Sequence, residues 1–235
     1  MQFIATKKRL ENKFKAKKFI VYFQSFTNTY APLSTLKSLY EKALSFDDVI
    51  GLSIGTRTDC VTDEILDFLY EKSKQKEIWI EYGIQSFFQT TLDRINRADD
   101  VENMRYWIRR TKEKGLNVCG HLIYGLPDEN QEMMLETFKQ TIDLKVDSIK
   151  FHPLYVVKNT LLTNEFKKGR FTPISEELYI DTVVKSIINL PQNVSVQRVT
   201  AGIDDDTLLS PLWCKNKHQQ MRNIRVALEE KGFIY

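Results

Sequence analysis

The sequence predicts an α/β fold built on a parallel sheet. Three observations predict it: short β-rich apolar runs alternate with amphipathic helical patterns, several runs are apolar almost throughout, and no Pro/Gly-rich linker interrupts the 235 residues. With 42% hydrophobic and 28% charged residues, the chain is expected to bury a sizeable core as one domain spanning 1–235.

Taken in order, residues 1–18 carry Lys7, Lys8, Arg9, Lys13, Lys15, Lys17 and Lys18 against Glu11 alone. This local +6 leaves the rest of the chain at −3, since the whole is +3. The stretch reads as a basic N-terminal helix with Leu10 and Phe14 one turn apart facing inward. A solvated face explains the charge, and RNA phosphates would also be attracted to it. Strands are expected at 19–24, 49–55, 78–84, 118–124, 149–156 and 194–199.

Between the strands, Leu33, Leu36, Leu39, Tyr40 and Ala43 mark one helix. Ile65, Leu66, Leu69 and Tyr70 mark another, opened by Thr62 with Asp63 and Glu64 in its first turn. Asn130 opens a third with Met134, Phe138 and Ile142 inward. Ser175 opens a fourth with Ile180, Val183, Val184, Ile187 and Ile188 inward. A last helix covers 218–231 and stops at Gly232. The polar stretch 158–173, with Gly169, reads as a mobile loop near the site.

Some classes are excluded. Cys60, Cys119 and Cys214 lie far apart, without metal-ligand spacing and without the look of a disulfide framework. No apolar run approaches the roughly 20 residues of a membrane span, and the N-terminus lacks a secretory signal pattern, so a cytoplasmic protein is expected.

In parallel βα folds ligands bind at the carboxyl ends of the strands. Those ends are polar here: Gln24-Ser25 with Asn28 and Thr29, Thr56-Arg57, Gln85-Ser86, His121 ahead of Gly125-Leu126-Pro127, and Lys150 with His152. Glu81 lies inside an apolar strand, where a carboxylate needs a partner; Lys150 or Arg57 are candidates, either as a core salt bridge or within a ligand site. His121 and His152 end neighbouring strands, as two imidazoles able to bind a ligand or move a proton near pH 7. Trp213-Cys214 beside His218 reads as a packed tail rather than a thiol and its base.

The segments Tyr22-Phe23-Gln24-Ser25-Phe26-Thr27-Asn28-Thr29-Tyr30, Gly55-Thr56-Arg57-Thr58-Asp59-Cys60, His121-Leu122-Ile123-Tyr124-Gly125-Leu126-Pro127 and Pro211-Leu212-Trp213-Cys214 resemble signature segments of the YhcC-type radical S-adenosylmethionine (SAM) proteins. These are relatives of oxygen-independent coproporphyrinogen dehydrogenase and of the elongator catalytic subunit. The resemblance implies a partial TIM-like (β/α)6 barrel over 19–157, followed by a C-terminal extension over 158–235. It also implies an oxidoreductase in which a 4Fe-4S cluster reduces SAM, releasing a 5′-deoxyadenosyl radical that abstracts hydrogen from the substrate.

By the same resemblance Gln85 and Arg97 hold SAM, and His121 stands where relatives present an aspartate to the ribose. Gln24, Ser25, Thr56 and Arg57 extend the implied cofactor-binding set, and the buried Glu81 is added to it from its place in the strand. A guanidinium suits the methionyl carboxylate, while Gln85 and His121 suit hydroxyl or amino groups. Relatives show Arg-Gly-His where this chain has Arg97-Ala98-Asp99. The family's C-x3-C-x2-C cluster loop precedes the first strand found here and is not among these residues, which implies a barrel lacking its first βα unit and a chain inactive alone.

An electron donor such as flavodoxin or ferredoxin, a tRNA nucleoside as substrate, and self-association through an exposed strand edge follow as expected partners. Two alternatives stand beside this reading: a non-catalytic SAM- or partner-binding fragment or degenerate paralogue, and a TIM-type enzyme using His121 and His152 as acid and base.

Overall fold

A computed structural model describes residues 2–233. The elements are helix α1 (Gln2–Phe14), strand β1 (Phe19–Phe23), α2 (Leu33–Leu44), β2 (Val49–Thr56), α3 (Asp63–Ser73), β3 (Glu77–Gln85), α4 (Gln89–Arg94), α5 (Val101–Glu113) and β4 (Asn117–Tyr124). Then follow α6 (Gln131–Asp143), β5 (Ser148–Pro153), β6 (Val156–Val157), α7 (Leu161–Lys167), α8 (Glu176–Ile188), β7 (Ser195–Arg198), β8 (Leu208–Ser210) and α9 (Lys217–Glu229). The main sheet has the order β1-β2-β3-β4-β5-β7, and β6 pairs antiparallel with β8. The chain forms two compact units, one made of the residues up to Gly83 with Asn103–Cys119, the other of Ile84–Glu102 with the residues from Gly120 onward.

In the first unit β1, β2 and β3 pair in parallel, with Val21 against Leu52 and Leu52 against Ile78. Helices α2 and α3 return the chain as parallel pairing requires. Thr62 caps α3 through the Ile65 N–H, and Ile65, Leu66 and Leu69 form its buried stripe. The stripes are narrower than the sequence implies, for Leu39 and Tyr70 are 49% and 39% exposed. Helix α5, absent from the sequence expectations, buries Met104, Ile108 and Thr111 under a charged outer face. Helix α1 docks through Phe3, whose ring lies 4.7 Å from that of Phe46, and through the Lys7–Asp48 ion pair. Phe14 sits at its last turn and is 64% exposed rather than inward, because the helix stops there.

Strand β1 stands at the end of the sheet order, with Ile20 and Tyr22 partly exposed. Such an edge offers unpaired backbone groups to a second chain. Concentration-dependent self-association is therefore expected in light scattering, weakened by Ile20→Lys. A strictly monomeric wild type at high concentration would count against it.

In the second unit β5 and β7 pair in parallel, with Lys150 opposite Arg198. Asn130 caps α6 through the Met133 N–H, and Ser175 caps α8 through the Leu178 N–H. The buried face of α8 is Tyr179, Thr182, Val183, Val184 and Ser186, with Ile187 and Ile188 only half-buried. Two phenols select that face: Tyr124 Oη meets Ser186 Oγ at 2.7 Å, and Tyr179 Oη donates to the Val199 carbonyl at 2.8 Å.

Strand β5 ends at Pro153, earlier than its apolar run, and the chain re-enters extended structure as β6. The stretch expected as a mobile loop carries α7, capped by Thr160 and tied to Arg94 through Glu165. Among the described residues no helix is long and apolar enough to cross a membrane.

Candidate functional site

The informative feature is where backbone strain sits. Ser25 and Phe26 follow β1 with φ of 102° and 59°, Gln85 ends β3 with φ of 68°, and Asn96 and Ala98 flank Arg97 with φ of 53° and 51°. A non-glycine residue in the left-handed region costs of order 1–3 kcal/mol and persists where the surroundings enforce it, commonly at ligand clamps. Gly125, directly after β4, has φ of 87°; a Cβ there would lie 2.7 Å from Ile174.

In the first unit the strand ends are laced by polar side chains. The Asn28 amide donates to the Phe23 and Gly55 carbonyls at 3.2 and 2.9 Å, clasping the ends of β1 and β2. Thr29 Oγ1 donates to the Cys60 carbonyl at 2.6 Å and lies 2.5 Å from Thr56 Oγ1, both threonines being buried. Gln24 and Ser25 are exposed. The Arg57 guanidinium forks onto the Asp59 carboxylate, at 2.7 Å from Nε and 2.5 Å from Nη2.

Glu81 is 2% exposed on β3, and the hydroxyls of Tyr22, at 2.8 Å, and Ser53 donate to its two oxygens. Two charge-assisted hydrogen bonds of this kind hold a carboxylate in an apolar sheet. Cys119, fully buried, has its sulfur within 4.8 Å of that carboxylate. Sequence reasoning tied neither Ser53 nor Tyr22 to Glu81; alternation along the strands, which sets Tyr22, Ser53 and Glu81 on one face, was the available signal.

In the second unit the turn carrying Arg97 is pinned from both sides. The Arg97 N–H donates to the Leu92 carbonyl at 2.9 Å, and the Gln89 side chain accepts from the Val101 N–H at 3.1 Å. Ala98 thus adopts the left-handed turn without a glycine, and Arg97 is half-buried. Beside Gln85, the fully buried Ser86 donates to Glu129 at 2.5 Å, and burial raises the Glu129 carboxyl above the usual range. Glu129 was missed from sequence because it reads as an ordinary exposed turn residue after Pro127.

His121 is half-buried, and His152 accepts from Tyr155 Oη on Nε2 at 3.3 Å while Nδ1–H donates to the Pro153 carbonyl at 2.7 Å. Burial, reinforced by the charges of Arg198 and His121, lowers His152 from 6.5 to about 4. The imidazole is therefore neutral near pH 7. An unfolded chain binds a proton at this residue between pH 6.5 and 4 that the folded chain refuses. This contribution to stability is complete above pH 6.5 and falls away as pH drops toward 4, by roughly 3 kcal/mol. Denaturant midpoints measured from pH 7 to 4 should show this loss, and His152→Gln should flatten it; parallel curves for both proteins would contradict it.

The three cysteines sit on separate elements, Cys60 after β2, Cys119 in β4 and Cys214 ahead of α9. Burial, and then Glu176, push the Cys214 thiol up to about 12, as suits a packed tail. A 4Fe-4S cluster takes its thiolates from a short loop or from converging elements, and none of these three shares a loop with another.

A parallel sheet with helical returns and polar, strained strand ends defines the class: a partial TIM-like α/β barrel. Residues 5–141 match the family model of the Radical SAM superfamily and residues 146–230 that of the Radical_SAM C-terminal domain. The chain belongs to the radical SAM superfamily, in its YhcC-type family. It is 39% identical to protein YhcC of Escherichia coli (strain K12) over 93% of its own length and 71% of that protein's. It is 30% identical to a tRNA uridine(34) acetyltransferase of Methanocaldococcus jannaschii over 66% of its length and 28% of that protein's. Its fold matches archaeal Methanocaldococcus infernus Elp3 with a TM-score of 0.77 at 21% identity, covering 99% of this chain and 59% of that one.

Proposed function

We propose that this chain is the SAM-binding core of a radical SAM oxidoreductase that acts on a nucleoside of tRNA. The observation carrying the SAM assignment is the enforced left-handed backbone at Gln85 and on both sides of Arg97. Bound SAM supplies, on one-electron reduction, a 5′-deoxyadenosyl radical able to abstract hydrogen. The chain's own residues bind and orient it.

The Arg97 guanidinium takes the methionyl carboxylate, whose planar pair of oxygens matches its fork. Gln85 and His121 hydrogen-bond the ribose hydroxyls, with His121 donating or accepting according to its tautomer. The tRNA part of the proposal is supported by the likeness to the tRNA uridine(34) acetyltransferase and by the basic stretch 1–18.

A second reading, a SAM- or partner-binding protein without redox chemistry, is favoured by one observation: none of its three cysteines belongs to a C-x3-C-x2-C run. One experiment separates the two. Under reducing, anaerobic conditions with iron and sulfide, the first reading expects 5′-deoxyadenosine to be released from SAM and to carry deuterium abstracted from labelled tRNA. Saturable SAM binding with no 5′-deoxyadenosine would favour the second.

A further inference from the structure

On the second unit, between β7 and α9, lies a cavity of about 470 Å³ with ten lining residues, none of them Asp or Glu. Arg198 enters from β7, and Lys217, His218, Met221, Arg222 and Arg225 from α9. Along α9 those positions recur at helical spacing on one face, while Gln220, Ile224 and Leu228 are buried on the other. The cationic face is therefore presented by the packing of the helix.

Among the described residues, the carboxylate paired with these cations is Glu229, 3.6 Å from Arg225. Arg198 is only partly exposed, and its Nε is buried without a hydrogen-bond partner. A buried guanidinium N–H left unpaired is costly, and three guanidinium forks and an ammonium lining one cavity, with Glu229 set outside the lining, make a site for a doubly oxygenated anion. Met221 adds an apolar surface, and the volume suits a nucleotide-sized group.

We infer that this cavity binds backbone phosphate of an RNA chain, with Arg198, Arg222 and Arg225 as the phosphate ligands and Lys217 at the rim. The ligand's identity rests on the tRNA reading above; the cationic cavity does not. Phosphate contacts release counterions, so affinity falls with salt by a logarithmic slope of about 0.7 per phosphate contacted on a single strand. Arg222 and Arg225 are exposed helix positions, so their replacement leaves folding intact.

The test is anisotropy of a fluorescein-labelled 15-nucleotide single-stranded RNA with the full chain, from 50 to 250 mM KCl. The double variant Arg222→Gln/Arg225→Gln is expected to bind at least about tenfold more weakly at 50 mM, with a slope shallower by about 1.4. Arg198→Gln is expected to lower the slope by about 0.7, with Arg198→Lys restoring it. A matched Lys8→Gln/Lys13→Gln variant in α1 serves as comparator, and melting temperatures check folding.

RNA binding with the wild-type slope in the arginine variants, or a slope altered only by the α1 changes, overturns the cavity as the phosphate site and leaves RNA as substrate standing. Absence of RNA binding by the wild type overturns both. Uridine monophosphate binding that depends on these arginines while RNA fails to bind would assign the cavity to a small phosphorylated ligand and equally overturn the inference.

Discussion

Gly125→Val is expected to destabilise the protein by about 4 kcal/mol, a large share of the 5–15 kcal/mol that holds a domain folded. Two separate penalties combine. Gly125 has φ of 87°, where a β-branched residue is strained. Its Cβ would also sit 2.7 Å from both Cβ and Cγ2 of Ile174, which is itself buried, so the neighbour can yield only by overpacking at a cost of about 1–3 kcal/mol. Gly169 separates the two: it has φ of 67° and nothing within 4 Å of an added Cβ. Gly169→Val should therefore cost only the backbone strain, about 1–2 kcal/mol. Urea midpoints give the comparison, and equal losses for the two variants would show that contact with Ile174 contributes nothing.

Glu81→Leu is expected to cost about 3 kcal/mol, because Tyr22 and Ser53 lose their shared acceptor in a buried sheet. Glu81→Gln keeps one carbonyl oxygen for those hydroxyls and should cost about 1 kcal/mol. The pair also divides the two roles weighed for this residue. A purely structural carboxylate lets Glu81→Gln bind SAM as the wild type does. A carboxylate within a ligand site makes Glu81→Gln stable but weaker for SAM by roughly tenfold, which is about 1.4 kcal/mol. Leu and Gln variants of equal stability would contradict the hydroxyl-acceptor account.

The α/β pattern, the strands of the main sheet and the caps Thr62, Asn130 and Ser175 were legible because apolar period and side-chain capping are local properties. Helix α5 was not: three buried residues, Met104, Ile108 and Thr111, lie among Arg105, Arg109 and Arg110, and charge masked the period. The inward face of α8 was misjudged because isoleucines outrank tyrosine on hydrophobicity alone. Hydrogen bonds from Tyr179 to Val199 and from Tyr124 to Ser186 reward a different face. The β6–β8 pair was hidden because each strand is only two or three residues long.

At the site, polar strand ends were visible as a pattern. Their strain was not, since nothing in the letters Gln85 or Ala98 announces a positive φ, and Asn96 alone is a residue type that favours one. Glu129, Tyr22 and Ser53 emerged only once distant segments were brought together.

The central claim, that Gln85 and Arg97 are held in strained turns in order to grip SAM, is tested most directly by titrating SAM into the protein in a calorimeter. The account predicts one saturable site, weakened roughly tenfold or more by Arg97→Met, where a charge-assisted fork is lost, and severalfold by Gln85→Leu. Heats no larger than dilution for the wild type, or wild-type affinity in both variants, would contradict it.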